Sequence, residues 1–533
     1  MRERYVLTRR GLIARSALLG GGLLAVPSTR GRAQAPAASG RVTAPYGTQV
    51  GDITGDRAIL WSRADREAKM LVELSTSESF ARSWTVQGPA ALEDTDFTAR
   101  LDLQGLPPGQ RVFYRVRFLD LGDLRTKSEP VTGSFATPPG GRGAVRFVWS
   151  ADTVGQGWGI NPDFGGMRIY ETMRQVEPQF FIHSGDTIYA DGPVYAEARN
   201  QDGSTWLGPD GKPWRNLVIE EKQKVAESLR EFRAAYAYNL MDENLRRFNA
   251  QVPMFPQWDD HEVLNNWYWE KLLSGDKRYT EKRVSVLASR ASRAFHDYMP
   301  IRQDPFERDR VYGSFRWGPS LEVFRLDMRS YRAANGDNLQ PQQGPETRFL
   351  GREQIRWLKQ ALLASDATWK VIAADMPIGV LVFDNFVERR GSEAVAQGNG
   401  PALGRELEIA ELLTFINRNG IRNTVWLTAD LHYTAAYRYD PNRARYQDFA
   451  PFWEFVSGPL NAGTFGPNEL DDTFGPEAVF VKAPEAGQVN LPPSAGMQFF
   501  GQVDIDGTSE VMTVRLKDIA GASLFTQELV PEV

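Results

Sequence analysis

Several carboxylates in this sequence stand where a strand-like run gives way to a turn. Residues 180–182, Phe-Phe-Ile, read as a short buried strand. His183, Ser184 and Gly185 follow, then Asp186 and, three residues on, Tyr189. In an open α/β sheet, reactive groups lie just past the carboxyl ends of strands. A glycine there lets the backbone turn sharply, so the next carboxylate can point into the crevice. Asp186 and Tyr189 are therefore candidate hard oxygen donors. Taken alone, the same stretch also fits a plain turn in which Asp186 caps a helix. The pattern recurs, however: strand-like runs end at Asp152, Asp327, Asp375 and Asp430, and Asp259-Asp260-His261 follows another. Carboxylates gathered at one sheet edge repel unless cations neutralise them. A polynuclear metal site is the simplest chemistry for such a set. Of the four histidines, His261 and His432 lie in these strand-end motifs and are functional candidates. His183 reads as a packed neighbour and His296 as a structural residue in a helix.

The elements that would carry these residues alternate. From residue 144 onward, apolar runs of strand length are separated by stretches with helical spacing, at 167–176, 218–238, 283–298, 352–363 and 405–419. That order predicts an α/β domain over residues 144–533. Residues 192–214, rich in Gly, Pro and Asp, read as a surface loop or lid. Residues 41–139 differ, with short alternating runs and frequent turn signals that predict an all-β sandwich. The Pro- and Gly-rich stretch 138–143 is the linker.

Composition narrows the chemistry further. At 533 residues the chain is expected to hold at least two domains. With no cysteine, disulfides and thiolate metal sites are excluded, so any metal is held by oxygen and nitrogen. A net charge of −5 and no long basic run give no nucleic-acid signal. The N-terminus reads as an export signal over residues 1–35: Arg9-Arg10, an apolar stretch at 16–26, then Ala33-Gln34-Ala35. The paired arginines fit the twin-arginine (Tat) export machinery and a periplasmic or secreted location. The apolar stretch is shorter than the roughly 20 residues needed to span a bilayer, so a membrane-spanning protein is not expected.

Four motifs then occur in order: Gly185-Asp186-Thr187-Ile188-Tyr189, Trp258-Asp259-Asp260-His261-Glu262-Val263, Leu326-Asp327-Met328-Arg329-Ser330-Tyr331-Arg332 and Thr428-Ala429-Asp430-Leu431-His432. Together they resemble the motif set of the PhoD-like alkaline phosphatases, within the calcineurin-like and purple-acid-phosphatase-like metallophosphoesterases. The resemblance covers residues 41–533. It implies a four-layer β-sandwich flanked by helices, preceded by a small fibronectin-III-like sandwich. It implies that Asp152, Asp186, Tyr189 and His432 hold a first metal, with Asp186 bridging to a second held by Asp260 and Asp430. Asp259, Asn265, Asp327 and Asp375 stay open as further ligands. It implies His261 as general acid and Arg329 as a phosphate-gripping guanidinium.

The implied reaction is attack on a phosphate ester by a metal-bridging hydroxide. The substrate would be a small phosphate ester, a phospholipid or a polymer, and a phosphodiesterase or phospholipase D-like activity is the alternative on the same site. In one respect the chain departs from the family: typical members carry a cysteine after the first strand, where this sequence has Ser150-Ala151-Asp152. Asp152, Asp186, Asp260, Asp430 and a Tyr189 phenolate are balanced by a trivalent plus a divalent ion. Ferric iron with calcium fits that set, with magnesium or manganese as variants. Two rivals are a non-catalytic calcium-binding surface protein and a carbohydrate-binding protein built on the sandwich. Neither needs His261 or Arg329.

Overall fold

The computed structural model describes residues 40–532. The export-signal reading of residues 1–35, with Arg9-Arg10, lies outside the described residues. Seven strands come first: β1 (Thr48–Thr54), β2 (Arg57–Arg63), β3 (Ala68–Ser75), β4 (Trp84–Ala91), β5 (Thr98–Leu103), β6 (Arg111–Asp120) and β7 (Val131–Ala136). Their alternation sets the faces: on β6, Val112, Tyr114, Val116 and Phe118 are buried while the residues between them are more exposed. β4-β3-β6-β7 form a four-stranded sheet. β1, β2 and β5 form the other face, and β1 also pairs in parallel with β10 (Met254–Gln257) through Gly51 and Met254. The small sandwich therefore continues the large sheet that follows, and from Arg41 onward the chain is a single compact unit.

Two large sheets follow. The nine-stranded one runs β22-β21-β20-β8-β9-β10-β1-β2-β5. Its added members are β8 (Val145–Ser150), β9 (Phe180–Ser184), β20 (Phe499–Ile505), β21 (Met512–Asp518) and β22 (Ser523–Leu529). The seven-stranded one runs β11-β12-β13-β16-β18-β17-β19. Its members are β11 (Gly313–Trp317), β12 (Leu321–Arg325), β13 (Trp369–Ala373), β16 (Thr424–Thr428), β17 (Thr434–Tyr439), β18 (Phe452–Val456) and β19 (Pro476–Lys482). Neighbouring residues point to opposite faces and so fill different layers. Phe147, Phe180 and Phe255 of one sheet share a core with Val323, Val371 and Val425 of the other. Their neighbours Val148 and Phe181 pack under helices α1 (Arg168–Gln175), α2 (Leu229–Asn239), α3 (Glu243–Asn249) and α4 (Val284–Tyr298). Phe324, Ile372 and Trp426 pack under α5 (Arg352–Ala364) and α6 (Glu406–Arg418). The result is helices, sheet, sheet, helices. Each such buried side chain stabilises the fold by about 1.5–3 kcal/mol relative to exposure.

Two expectations are corrected. The helix expected over 218–238 begins only at Leu229, where Ser228 and Glu231 form a capping box. The residues before it are drawn towards the carboxylate cluster instead, because the buried Lys222 ammonium donates to the Tyr189 and Gly192 carbonyls at 2.6 and 2.9 Å. The 192–214 loop is not a lid. Trp206 and Trp214 pack edge-on against Trp158, which folds the loop onto the body. Among the described residues, no helix is long and apolar enough to cross a membrane.

Candidate metal centre and catalytic cavity

Strand register brings the carboxylates together. β8, β9 and β10 run parallel, pairing Ser150 with His183 and Ser184 with Gln257. Asp152, Asp186 and Asp259-Asp260 follow these ends. In the facing sheet β12, β13 and β16 run parallel, pairing Arg325 with Ala373 and Ala373 with Leu427. Asp375 and Asp430 follow there. Both sheets thus end in acid on the same side. The turns are tight: Asp152, Asp186, Asp430 and His432 all adopt left-handed backbone, with φ of 65°, 52°, 63° and 58°. Such positions cost on the order of 1–3 kcal/mol each and cluster at functional sites. Gly185 makes room, since a Cβ there would lie 2.4 Å from the Asp259 Cβ. Gly155 does the same for the Tyr189 ring, which a Cβ would meet at 2.6 Å.

The donors form overlapping groups. Ligand atoms of Asp152, Asp186 and His432 lie within 4.8 Å of one another, as do those of Asp186, Asp260 and His261, and of Asp259, Asp260 and Asp430. Asp186 and Asp260 each belong to two groups, so the three groups join into one cluster. The Tyr189 hydroxyl sits at the first group, 3.2 Å from Asp152 Oδ1 and 3.0 Å from His432 Nε2. His432 Nδ1 donates to the Gly463 carbonyl at 2.5 Å, which leaves the Nε2 lone pair facing the cluster. One carboxylate oxygen each of Asp152, Asp186, Asp259 and Asp260 is buried without a hydrogen-bond partner, and Asp375 has two. Burial, then the neighbouring charges of Asp259 or Asp260, push Asp152, Asp186, Asp375 and Asp430 well above the usual carboxylate range. Buried acids left this way fit cations. Several hard oxygens with one imidazole suit hard ions rather than soft ones.

His261 is fixed by its neighbours on two sides. Its ring stacks on Tyr189, with centroids 4.1 Å apart. Nδ1 donates to Asp191 Oδ1 at 2.7 Å, and Nε2 lies 3.8 Å from Asp260 Oδ1. Burial opposes charge on this imidazole, but Asp191 and Asp260 outweigh it and hold it up at about 9. The sequence reading missed Asp191, whose place in Ala190-Asp191-Gly192 looks like a loop start. It also gave Glu262 no role. That buried carboxylate accepts the backbone N–H groups of Asp186 at 3.0 Å, Thr187 at 2.6 Å and Asp259 at 2.7 Å, tying two ligand-bearing turns together. Its place beside His261 in the motif was the available signal.

Arg329 is a correction. It is fully buried beneath the carboxylates and does not line the cavity. Its Nε donates to Asp259 Oδ1 at 2.6 Å, Nη1 is bonded to Glu393, and Asp375 lies 3.5 Å away. Here the guanidinium faces buried acids rather than the cavity. Asp259 is in turn shared between Arg329 and the third donor group. Asp327 is spent on a turn, accepting from Arg329 N, Ser330 N and Trp258 Nε1. Asn265 lines the cavity, and its N–H donates to Asp191. His183 packs below the site against Thr153, and His296 bonds the Ser292 carbonyl within α4.

Above the cluster opens a cavity of about 950 Å³, with Tyr189, Asp260, His261, Asp430 and His432 in its floor. Its upper wall comes from residues 381–393, which include the hairpin β14 (Phe383–Asn385) and β15 (Arg390–Ser392), and from 465–469. Of the 192–214 loop, only Gly192 reaches it.

Sequence and structure comparisons place the chain in a family with this fold. The family described as PhoD-like phosphatase matches residues 147–516, and the N-terminal domain of PhoD-like phosphatases matches residues 31–139. Alkaline phosphatase D of Bacillus subtilis (strain 168) is 24% identical over 449 residues, 80% of this chain and 71% of that protein. A solved structure of PhoD superposes with a TM-score of 0.63 at 18% identity, over 94% of both chains. A purple acid phosphatase from yellow lupin (Lupinus luteus) seeds superposes at 0.54 with 11% identity, over 91% of this chain and 74% of that one. The chain belongs to the PhoD-like phosphatase family and is a phosphoesterase with a metal-binding carboxylate centre.

Proposed function

We propose that the chain is an exported phosphoesterase that hydrolyses phosphate esters at two or more metal ions held by Asp152, Asp186, Tyr189, Asp260, Asp430 and His432. The observation that carries this reading is the set of partnerless carboxylate oxygens converging beneath one open cavity. Ferric iron with calcium is the pair the donors fit best, since a phenolate and carboxylates favour a trivalent ion in the first position. Bound cations lower the pKa of water and neutralise charge on the phosphoryl oxygens. The chain's own residues do the rest. Asp186 draws the two positions together. The His261 imidazolium, oriented by Asp191, lends its proton to the departing alkoxide, so water and ester give alcohol and phosphate. Glu262 fixes the turns from which Asp186 and Asp259 project. Arg329 offsets the acids behind the site. At about 950 Å³ the cavity has room for a second ester group, which favours diesterase activity as the second reading.

The test is phosphate release from mono- and diesters, with metal analysis, for the wild type and Asp186→Asn. Turnover and bound metal are expected to fall together in the variant. Full activity with normal metal content would remove Asp186 from the centre. Iron-loaded protein is expected to be coloured and Tyr189→Phe to bleach it. A colourless, active enzyme without iron would overturn the ferric assignment alone.

A further inference from the structure

The cavity's two levels differ in chemistry. The floor is acid and imidazole, while the mouth presents Leu381, Val382, Phe383, Phe386, Phe465 and Val489. Phe386 is 63% exposed and Val489 59% exposed, although both line a cavity that opens onto charge. The wall is built rather than loose. Leu381 N–H donates to the Glu469 carbonyl at 3.0 Å, and Asn468 Nδ2 donates to the Leu381 carbonyl at 3.0 Å. Arg389 grips Glu469 with two bonds of 2.9 and 3.0 Å and lies over the Phe383 ring, 5.1 Å from its centre. Asn490 N–H donates to the Thr464 carbonyl at 2.8 Å, which ties the segment carrying Val489 to the one carrying Phe465.

The mouth has little to offer a charged ligand. Two guanidinium groups line it, and each has an acid beside it: Arg278 pairs with Asp276, and Arg389 with Glu469. Asp191, Asp384 and Glu469 add negative charge around them. A second phosphate, a carboxylate or a sugar acid would meet acids and paired cations there. An alkyl chain or aromatic ring would instead lose water contact against Phe386, Phe465 and Val489, the favourable exchange for apolar surface.

We propose that this wall binds the organic group of the ester, so that the enzyme prefers phosphate esters of apolar alcohols over those of charged or sugar-like alcohols. The inference rests on the phosphoesterase reading of the same site. It assigns Phe386 and Val489 as specificity-determining residues.

The test uses two substrate series, n-alkyl phosphates and n-alkyl p-nitrophenyl phosphates, from methyl to hexyl and kept in true solution. In whichever series is hydrolysed, kcat/KM is expected to rise roughly two- to fourfold per added methylene, the range set by burial of a CH2 group. Phe386→Ser combined with Val489→Ser flattens that slope, and the hexyl ester loses most. Phe306→Ser, at a fully exposed phenylalanine outside the cavity, keeps the wild-type slope. A flat chain-length profile with normal hydrolysis overturns this inference and leaves the phosphoesterase reading standing. So does an unchanged slope in the double variant, or faster hydrolysis of glycerol or glucose phosphate than of butyl phosphate. Hydrolysis of neither series, with glycerol and glucose phosphate hydrolysed, overturns this inference alone, and hydrolysis of none of these esters by metal-loaded protein removes both.

Discussion

The floor and the mouth of one cavity are held by opposite means. Behind the floor, Arg329 and Arg332 are fully buried and bonded to Asp259 and Glu393, which are buried as well. In the mouth, the pair Arg389–Glu469 is half exposed or more on both sides, at 51% and 67%. Charge without water has nowhere to relax, so floor residues are fixed by their partners. Charge in water is screened, so mouth residues are fixed by backbone pairing and apolar contact. The difference suits the division of labour. Chemistry needs carboxylates held to fractions of an ångström, whereas recognition of an organic group tolerates a surface that adjusts.

The largest effect expected from this contrast is on catalysis. His261→Ala keeps the carboxylates and is expected to lower kcat/KM by on the order of 10²–10⁴-fold for alkyl esters, and less for p-nitrophenyl esters, which leave without a proton. Steady-state rates across leaving groups, with metal content checked, measure it. Equal losses for both classes would make His261 a binding residue. Next comes stability. Arg329→Met strands buried acids and is expected to cost about 3–5 kcal/mol. Arg389→Met breaks a solvated pair and is expected to cost about 0–1 kcal/mol. Denaturant unfolding of both variants compares them directly, and equal costs would erase the distinction between floor and mouth.

The same distinction decides what the sequence could reveal. Asp152, Asp186 and Asp430 were legible because each follows a short apolar run, and parallel strands end together. Local pattern and global register agree there. The burial of Arg329 was not legible. The motif Asp327-Met328-Arg329 supplies a guanidinium but says nothing of Glu393, which lies 64 residues away and bonds it. The wall of the mouth was hidden for another reason. The hairpin strands at 383–385 and 390–392 have three residues each, too short for periodicity to register. The Gly and Pro content of residues 192–214 fits a lid, yet the tryptophans of this loop pack it onto Trp158. The shared sheet was also invisible, since a parallel contact such as Gly51 with Met254 joins segments 203 residues apart and leaves no local trace.

A last effect, seen only as pH changes, concerns how the mouth is rooted in the fold. Glu454, on β18, is fully buried. It accepts from the Ile378 N–H at 3.1 Å and from the Tyr439 hydroxyl at 2.6 Å. Ile378 starts the segment that leads to Leu381 and the hairpin. Burial pushes the Glu454 carboxyl up to about 7, from an ordinary value of 4.5. Between those two values the folded chain holds a proton that the unfolded chain has released. The stabilising contribution is therefore complete below pH about 4.5 and is lost as pH rises through about 7. Glu393 behind the floor has the opposite sense: burial opposes its charge, but Arg332 and Arg329 hold it below the usual range, so its contribution is lost as pH falls. Glu454→Gln keeps one acceptor and one donor but cannot titrate. Its stability relative to wild type is expected to rise by on the order of 1–3 kcal/mol between pH 4.5 and 8. Denaturant midpoints at intervals across that range measure the difference. Parallel pH profiles would show that Glu454 is ionised in the folded chain, and the root of the mouth would then be charged like the floor.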